Sequence, residues 1–227
     1  MSPEPLPSSL ALVDDERLRA MREEYAAVGL DEAAAGDDPV SLFKRWLAQV
    51  VAAGIHEPNA MALATATPDG QPSVRLVLLK GADARGFVFF TNTRSRKGVE
   101  LVANPRAALA LTWHAVQRQV RVEGPVQRLS VAEDDAYFAS RPYGSRLGAL
   151  ASPQGEVVPD RQWLEDRYAA LERSYPDGDP VPRPSHWGGY RVVPEQIEFW
   201  QGRRDRLHDR LLFVREDEAW RRRRLAP

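Results

Sequence analysis

The 227-residue chain is predicted to form a mainly β fold, a closed or nearly closed antiparallel β-barrel with helices inserted and appended. The first observation behind this prediction is a period of two in the apolar residues, which begins at Met61 and returns towards the C-terminus. The second is that these segments are joined by short turns, as in hairpins, and outnumber the helical segments. The third is that the chain has no Gly-rich dinucleotide fingerprint, which would favour a parallel α/β sheet.

The N-terminal residues are predicted to precede the barrel as a tail and a first helix. Residues 1–12 are rich in Pro and Ser and are expected to be a flexible tail, with a single domain over residues 13–227. Asp14 and Asp15 can cap a helix that runs to about Ala27. The N-terminus does not combine a basic start with a long apolar run, and no segment approaches the ~18 apolar residues of a membrane span. We therefore expect a cytoplasmic protein with no membrane partner.

The other elements are predicted from capping and periodicity. A second helix should begin after Asp38 with Pro39 in its first turn and end at Gly54. Its apolar face would contain Leu42, Phe43, Trp46, Leu47 and Val50. Further helices are expected at 95–103, stopped by Asn104 and Pro105, at VAEDDAYFAS and at 161–173, before a Pro-rich loop at 176–184. The expected strands are MALATAT and PSVRLVLLK as a hairpin, GFVFFTN, AALALTWHA, RQVRVEGPVQRLS, GGYRVVP, QIEFW, DRLLFVRE and AWRRRRLA.

The composition excludes several classes of function. With 31 Lys plus Arg against 32 Asp plus Glu, the net charge is -1, so no general attraction to nucleic acid or to a membrane is expected. The absence of cysteine excludes disulfides, thiolate metal ligands, iron–sulfur clusters and a cysteine nucleophile. His56, His114 and His186 show no metal-ligand spacing to another His or to a pair of carboxylates, so no metal site is expected.

A basic segment, TNTRSRKGVE, connects a strand to the first turn of a helix. It contains Thr91, Arg94, Ser95, Arg96 and Lys97. Cations at this end of a helix oppose the macrodipole, and a bound phosphate would remove the conflict by accepting from the free N–H groups, the hydroxyls and the cations. A solvated basic helix start is the alternative.

A second cluster lies in RLHDR, where strand alternation would place Arg206, His208 and Arg210 on one face. Leu207 and Asp209 would lie on the other face. A shared anionic or electron-rich ligand would explain three neighbouring cationic groups, whereas charges that protect an exposed strand edge are an equally good explanation.

A third set contains Tyr137, Arg141 and Ser145, which would share one face of a continuous helix. Pro142 makes a break in that helix expected, so the three side chains would converge only after a turn. An ordinary pair of capped helices is the alternative interpretation.

Several other residues carry weaker signals. Arg75 and Lys80 lie at the two ends of an apolar strand, five residues apart, so a regular strand would direct their side chains to opposite faces. Both would touch one ligand only if a bulge or a subunit boundary intervened. Gln119 and Trp200 would by default be a surface strand residue and a core aromatic. The arginine run at 221–224 is similar to a nucleic-acid-binding tag but lies in a predicted strand, so no nucleic-acid partner is expected.

Taken together, these segments resemble the pyridoxamine 5'-phosphate oxidase family from about Arg22 to Pro227. The similar motifs, in the family order, are RLVLLK, FFTNTRSRKG, WHAVQRQVRVEG, YFASRPYGS, ASPQ, HWGGYRV, QIEFWQG, RLHDR and RLAP. The resemblance implies a split β-barrel homodimer with two FMN molecules at the subunit interface, to which both chains contribute. It implies oxidation of pyridoxamine or pyridoxine 5'-phosphate by O2 to pyridoxal 5'-phosphate with release of H2O2, a step of vitamin B6 biosynthesis and salvage.

The resemblance also assigns residues by position. The implied FMN contacts are Arg75, Leu76, Val77, Leu78, Leu79, Lys80, Phe90, Thr91, Ser95, Arg96, Lys97, Gln119, Gln154, Gly155, Trp200 and Arg210. The implied substrate contacts are Lys80, Tyr137, Arg141 and Ser145 at the phosphate, Arg206 and His208 at the pyridine ring as the catalytic pair, and Arg22 and Tyr25 in an N-terminal segment that closes over the substrate.

This chain departs from the family pattern in three places. Phe90 stands where Tyr is common, Gly155 where Ser is common, and RRD at 203–205 replaces a smaller polar stretch. Phe90 and Gly155 can offer FMN only backbone groups, so FMN affinity is the property most affected. Two other functions fit a similar sequence: an FMN oxidase of a phenazine precursor, and an FMN or pyridoxal-phosphate carrier without turnover.

Overall fold

A computed structural model of the protein describes residues 15–21, 24–25 and 29–227. The predicted tail at 1–12 and the candidate residue Arg22 lie outside the described residues. Helix α1 spans Asp15–Ala20 and ends earlier than predicted, because Met21 is already non-helical. None of the six residues of α1 is buried. A helix this short gains little stability from its own hydrogen bonds, and burial of its side chains adds little.

The strands form one curled antiparallel sheet, which confirms the predicted fold class. They are β1 (Ala60–Ala66), β2 (Pro72–Leu78), β3 (Gly81–Asp83), β4 (Gly86–Asn92), β5 (Arg106–Trp113), β6 (Arg118–Arg128), β7 (Trp187–Val192), β8 (Gln196–Gln201), β9 (Asp209–Glu216) and β10 (Ala219–Leu225). Their order is β10-β9-β8-β6-β5-β1-β2, while β4 pairs with β3 and β7, and β7 also pairs with β6.

Strand β6 closes the sheet on itself because it pairs with different neighbours along its length. Residues 118–123 pair with β8, and residues 126–128 pair with β7. Gly124 lies at the change of partner, and a Cβ there would be 2.0 Å from the carbonyl oxygen of Val193. Only glycine allows the two chain segments to approach this closely, and this approach brings β4 and β7 into the barrel.

Helices cover the barrel and connect its strands. They are α2 (Glu32–Ala35), α3 (Pro39–Ala52), α4 (Arg96–Ala103), α5 (Val131–Ala139), α6 (Tyr143–Ala151) and α7 (Arg161–Ser174). Pro142 separates α5 from α6, as its position in the sequence suggested, and it is the N-cap residue of α6. In the described residues, no helix is long and apolar enough to cross a membrane.

Helix α3 packs its predicted apolar face onto one end of the barrel. Asp38 caps it by accepting hydrogen bonds from the N–H groups of Val40 and Ser41. The Phe43 ring meets Phe87 edge-on at 5.0 Å between centroids, and Trp46 lies beside the β8 aromatic Phe199 at 5.3 Å. Side chains of this size stabilise the fold by about 2–3 kcal/mol each when fully buried. This packing fixes the barrel from which the site residues project.

Candidate active site

A cleft of about 1010 Å³ lies between strands β2 and β4, the start of α4, and the α5–α6 corner. Among the described residues that line it, five are Arg or Lys and none is Asp or Glu. The predicted site residues that line the cleft are Arg75, Leu76, Val77, Leu78, Lys80, Phe90, Thr91, Ser95, Arg96, Lys97, Tyr137, Arg141, Ser145, Gln154 and Gly155. Leu79 instead points into the hydrophobic core and is 6% exposed.

One end of the cleft is built at the N-terminus of α4. Ser95 is the N-cap residue, but its hydroxyl donates to the carbonyl of Asn92 at 2.6 Å rather than capping the helix N–H groups. The Lys97 ammonium donates to Ser95 Oγ at 3.0 Å and to Gln154 Oε1 at 3.1 Å. Thr91 Oγ1 contacts the same amide oxygen at 3.2 Å. Backbone donors, hydroxyls and a cation thus converge where an anion can bind.

Lys97 is poorly solvated in this position, with 8% of the residue exposed. Burial, and to a smaller extent the positive charge of Arg75, lower the pKa of Lys97 from 10.5 to about 8. An anion bound beside this ammonium would offset both effects. The buried cation is therefore evidence for an anion site rather than for a solvated basic helix start.

Arg75 and Lys80 reach the same cleft without a bulge or a subunit boundary. Strand β2 ends at Leu78, after which the Leu79 N–H donates to the carbonyl of Asn59 at 2.9 Å and its side chain enters the core. The Lys80 N–H then donates to Val88 O at 2.8 Å. The prediction of opposite faces was wrong because it assumed that the strand continues through Lys80.

The other end of the cleft is formed by aromatic rings and by Arg141. The ring of Tyr137 stacks on Phe90 at 4.0 Å, and Phe90 stacks on Trp187 at 5.2 Å. The Arg141 guanidinium lies over Trp187, 4.9 Å from its centroid. Its Nη1 is buried and has no hydrogen-bond partner among the described residues, and burial lowers the pKa of Arg141. With Ser145 in the first turn of α6, this end can bind a second anion.

Trp187 was missed by the sequence analysis as a member of this wall. Its only signal was the motif HWGGYRV, in which the two glycines follow the aromatic residue. A Cβ on Gly189 would lie 2.7 Å from Phe90 Cε1, so glycine is needed for the aromatic stack to form against β7.

The remaining predicted residues form a separate cluster on β6, β8 and β9. Gln119 lies opposite Trp200, which lies opposite Arg210 in the sheet register. The rings of Trp200 and His208 are 4.7 Å apart, and Tyr25 meets them at 5.8 Å and 5.5 Å respectively. In the described part of one subunit, this cluster is not part of the cleft lining. The structure of one chain therefore brings the predicted residues together as two groups.

The prediction that Arg206, His208 and Arg210 share one strand face was wrong. Residues Arg204–Arg206 form a 3-10 turn, and Asp205 and Arg206 have φ values of 56° and 60° in the left-handed region. Strand β9 begins only at Asp209, so alternation does not extend back to Arg206. Two consecutive non-glycine residues in this region store backbone strain, which is common where a loop presents functional side chains.

The charges in this segment are balanced differently from the predicted row of three cations. Arg210 Nε donates to Glu198 Oε1 at 2.9 Å, so this guanidinium has a carboxylate partner. His208 Nδ1 accepts from the Arg203 N–H at 3.1 Å. Burial, followed by the charge of Arg206, lowers the pKa of His208. The neutral form of His208 is therefore favoured, and an accepting Nδ1 leaves its proton on Nε2.

The arginine run at 221–224 lies in β10, as predicted, and has structural partners. Arg222 donates to the backbone of the α2 segment, and Arg224 pairs with Glu32 at 2.8 Å and with Asp209 at 2.7 Å. Arg221 and Arg223 both pair with Glu216. These contacts fasten the α2 segment, from Leu30 to Gly36, to strand β10.

Comparisons with known proteins agree with this architecture. The sequence model of the family described as Pyridoxamine 5'-phosphate oxidase matches residues 47–174, and one described as Pyridoxine 5'-phosphate oxidase C-terminal dimerisation region matches residues 187–227. A Pyridoxine/pyridoxamine 5'-phosphate oxidase of Rubrobacter xylanophilus is 59% identical over 92% of this chain and 96% of its own. The corresponding protein of Thermosynechococcus vestitus is 56% identical over 93% of this chain and 99% of its own.

A solved structure gives the same result for the fold. PhzG from Burkholderia lata 383, in complex with tetrahydrophenazine-1-carboxylic acid, has a TM-score of 0.80 and 36% sequence identity, and the match covers 85% of this chain and 94% of that chain. A pyridoxamine 5'-phosphate oxidase-related, FMN-binding protein from Nostoc punctiforme has a TM-score of 0.67 at 19% identity, over 82% of this chain and 97% of that chain, and so supports the fold alone. On its sequence and its fold, the chain belongs to the pyridoxamine 5'-phosphate oxidase family.

Proposed function

We propose that the protein oxidises pyridoxamine 5'-phosphate or pyridoxine 5'-phosphate to pyridoxal 5'-phosphate with FMN as cofactor, O2 as electron acceptor and H2O2 as co-product. The observation that carries the proposal is the cleft, which has buried cationic side chains, Lys97 and Arg141, at its two ends and is otherwise lined largely by apolar and aromatic side chains. Two phosphorylated ring compounds, one cofactor and one substrate, fit this pattern. The relatives that are 50–59% identical bear the name of this activity.

The residues at the α4 end fit the phosphate of FMN. Lys97 is a buried cation that lacks a carboxylate partner in the described structure, and Ser95 and Thr91 add hydroxyls next to it. Gly155 has φ of 94°, and a Cβ built on it would be 4.0 Å from the N–H nitrogen of Arg96. The smaller residue leaves the helix N–H groups open to a phosphate, although it lacks the hydroxyl that a serine would offer here.

The substrate phosphate is assigned to Arg141, with Lys80, Tyr137 and Ser145. Arg141 has a buried guanidinium nitrogen with no partner among the described residues, and a phosphate oxygen would supply the missing acceptor. Stacking fixes the Tyr137 ring against Phe90, so its hydroxyl needs little reordering on binding.

We infer that the site is completed by a second subunit. The solvent side of β2 has an apolar row, in which Val74 is 68% and Leu76 76% exposed, and this row borders the cleft. The region matched by the dimerisation model, residues 187–227, contains Trp200, Arg206 and His208. In the proposed homodimer this cluster of one subunit faces the cleft of its partner, so that Gln119, Trp200 and Arg210 meet the cofactor at the interface.

The chain's own groups would then orient and protect the reactants. When bound, FMN supplies the acceptor for the hydride that leaves C4' of the substrate, and O2 takes up the electrons. Neutral His208 donates from Nε2 to the oxygen on the pyridine ring, because its Nδ1 is already an acceptor. Arg206 holds the ring in place, and Tyr25, whose ring contacts those of Trp200 and His208, restricts the access of water.

The visible spectrum of the purified protein, after incubation with FMN and removal of the excess, tests the proposal. We expect flavin absorption that bleaches on anaerobic addition of pyridoxamine 5'-phosphate and returns with O2, together with H2O2 formation. Pyridoxamine without the phosphate is the control and should bleach the band only at much higher concentration. A protein with no flavin band, or a band that substrate does not bleach, would show the proposal to be wrong.

One alternative has a specific observation in its favour, namely the similarity to PhzG in complex with tetrahydrophenazine-1-carboxylic acid. An oxidase of a phenazine precursor would not need the substrate-phosphate group formed by Lys80, Tyr137, Arg141 and Ser145. Faster H2O2 production with a phenazine precursor than with pyridoxamine 5'-phosphate would favour this alternative, and binding of both FMN and pyridoxal phosphate without turnover would indicate a carrier.

Arg206→Ala should lower turnover or substrate affinity in the proposed oxidase. A variant with unchanged turnover and affinity would remove Arg206 from the site.

A further inference from the structure

Glu100 is a buried carboxylate directly behind the phosphate end of the cleft. It is 3% exposed, lies one turn after the start of α4, and does not belong to the cleft lining in the described structure. Its Oε1 accepts from Arg96 Nε at 2.8 Å, and its Oε2 lies 3.4 Å from Arg75 Nη2. Both arginines line the cleft, so Glu100 contacts the cations of the anion site from the protein side.

Two hydroxyl groups connect the same carboxylate to Arg75. Thr65 and Ser73 both donate to Glu100 Oε2, the latter at 2.5 Å. Each hydroxyl also accepts from the Arg75 guanidinium, Thr65 Oγ1 from Nη1 at 2.6 Å and Ser73 Oγ from Nη2. Because a hydroxyl has one proton, donation to Glu100 leaves its lone pairs directed at Arg75. The carboxylate therefore orients the two hydroxyls that hold this arginine.

A glutamine cannot replace this carboxylate without losing a partner. Four groups donate to Glu100, two hydroxyls and two guanidinium groups, whereas a side-chain amide has one acceptor oxygen and one donor nitrogen. The amide nitrogen of a glutamine would take the place of one carboxylate oxygen, either the one that faces Arg96 or the one that faces Arg75, Thr65 and Ser73. That nitrogen cannot accept a hydrogen bond from an arginine. At least one arginine would be released from its position.

The charges also match a phosphate monoester. Arg75, Arg96 and Lys97 with Glu100 leave two positive charges near neutral pH, because hydrogen bonds hold the pKa of Glu100 at about 2 despite burial. A phosphate monoester carries about -1.5 to -2 at pH 7. Without Glu100, three neighbouring cations would repel one another, and Arg96, whose side chain is 62% exposed, would turn towards solvent.

We propose that Glu100 is a positioning residue that fixes Arg75 and Arg96 for the cofactor phosphate and thereby sets the preference of this chain for FMN over unphosphorylated riboflavin. The inference rests on the proposed function, because it assumes that the α4 end of the cleft binds the FMN phosphate. It adds a residue that acts through the arginines and does not touch the flavin.

The test measures binding of two flavins that differ only in the phosphate. Flavin-free wild type and Glu100→Gln are titrated against FMN and against riboflavin, and the Kd values are obtained from flavin fluorescence quenching. We expect Glu100→Gln to raise the Kd for FMN at least about tenfold, as for loss of a hydrogen bond to a charged group. The Kd for riboflavin should stay within about twofold, since riboflavin does not use the arginines.

A matched control is Glu165→Gln, because Glu165 accepts from the Nε of Arg161 in the same i,i+4 geometry, at 2.8 Å, on α7. Its binding of both flavins should equal that of the wild type. Thr65→Val is the second variant, which removes one orienting hydroxyl outside the cleft lining and should weaken FMN about threefold with riboflavin unchanged. If Glu100→Gln fails to fold, as shown by the lack of a cooperative thermal transition, the flavin affinities of Thr65→Val test the proposal instead.

Each outcome bears on the inference. A loss of affinity confined to FMN supports it. An equal loss for both flavins, as expected for a purely structural residue, overturns it, and so does unchanged or tighter FMN binding. If the wild type itself binds neither flavin, the proposed function fails rather than the role of Glu100 alone.

Discussion

Replacing Lys97 with methionine should stabilise the flavin-free protein and weaken its binding of FMN. Burial lowers the pKa of this lysine from 10.5 to about 8, so folding disfavours its charged form. The difference corresponds to about 3 kcal/mol. This penalty is fully present below pH 8 and disappears as the pH rises from 8 to 10.5, because the folded-state pKa lies below the unfolded value.

Methionine keeps the length of the side chain but loses two hydrogen bonds, to Ser95 and Gln154, worth about 1–2 kcal/mol together after exchange with water. The net gain for Lys97→Met at pH 7 is therefore about 1–2 kcal/mol, or about 4 °C in Tm for a chain of this length. Thermal unfolding of the flavin-free protein, followed by circular dichroism, measures it. Lys44→Met on the exposed side of α3 is the control and should change Tm little.

Binding of FMN should change in the opposite direction. In the wild type, affinity should fall about tenfold between pH 7 and pH 9, as the ammonium that faces the phosphate loses its proton. Lys97→Met should bind FMN more weakly at pH 7 and show little dependence on pH over this interval. A variant that is less stable than the wild type and binds FMN equally well at both pH values would refute the assignment of Lys97 to the phosphate.

Three further changes test other parts of the structure. Gly189→Ala should destabilise the protein by about 1–3 kcal/mol in thermal unfolding, because the new methyl group would be 2.7 Å from the Phe90 ring, and a wild-type Tm would contradict this packing. Arg141→Ala should raise KM for pyridoxamine 5'-phosphate about 10- to 100-fold with an unchanged Kd for FMN. A similar rise in the Kd for FMN would contradict the assignment of Arg141 to the substrate phosphate. Arg224 lowers the pKa of Glu32 to about 2, so this pair stabilises the fold above the unfolded pKa of 4.5 and is lost as the pH falls towards 2. Arg224→Ala should reduce this acid dependence in pH-dependent unfolding, and an unchanged acid profile would show that the pair contributes little.

The barrel and the helix α3 could be predicted because local signals and packing agree in those segments. Asp38 and Pro39 define the start of α3, and its apolar face is the one that packs on Phe87. Period-two alternation identifies strands whichever neighbours they pair with. The pairing of β6 with both β7 and β8 could not be predicted, since it depends on the close approach at Gly124 rather than on any alternation.

The site was predictable in its residue types but not in its grouping. The residues of TNTRSRKGVE do surround a buried ammonium, as the conflict with the helix dipole indicated. The row at RLHDR failed because Asp205 and Arg206 adopt left-handed backbone that their side chains do not signal. Glu100 gave no signal at all, since a glutamate in a short helix is ordinary until its partners are known. The sequence shows which side chains are available for a site, whereas the tertiary structure determines which of them come into contact.

The double pairing of β6 has a consequence for how this chain can change during evolution. A one-residue insertion between Arg118 and Gly124 would rotate the side chains of that stretch to the opposite face, and would shift its register against β5 and β8 together. Gln119 would then leave the row that it shares with Trp200. The exposed part of the connecting loop, residues 176–180, has no ladder to preserve and can vary in length at small cost, whereas Val181 and Pro184 after it are buried. We therefore expect length variation among homologous chains to concentrate in that loop and to spare β6.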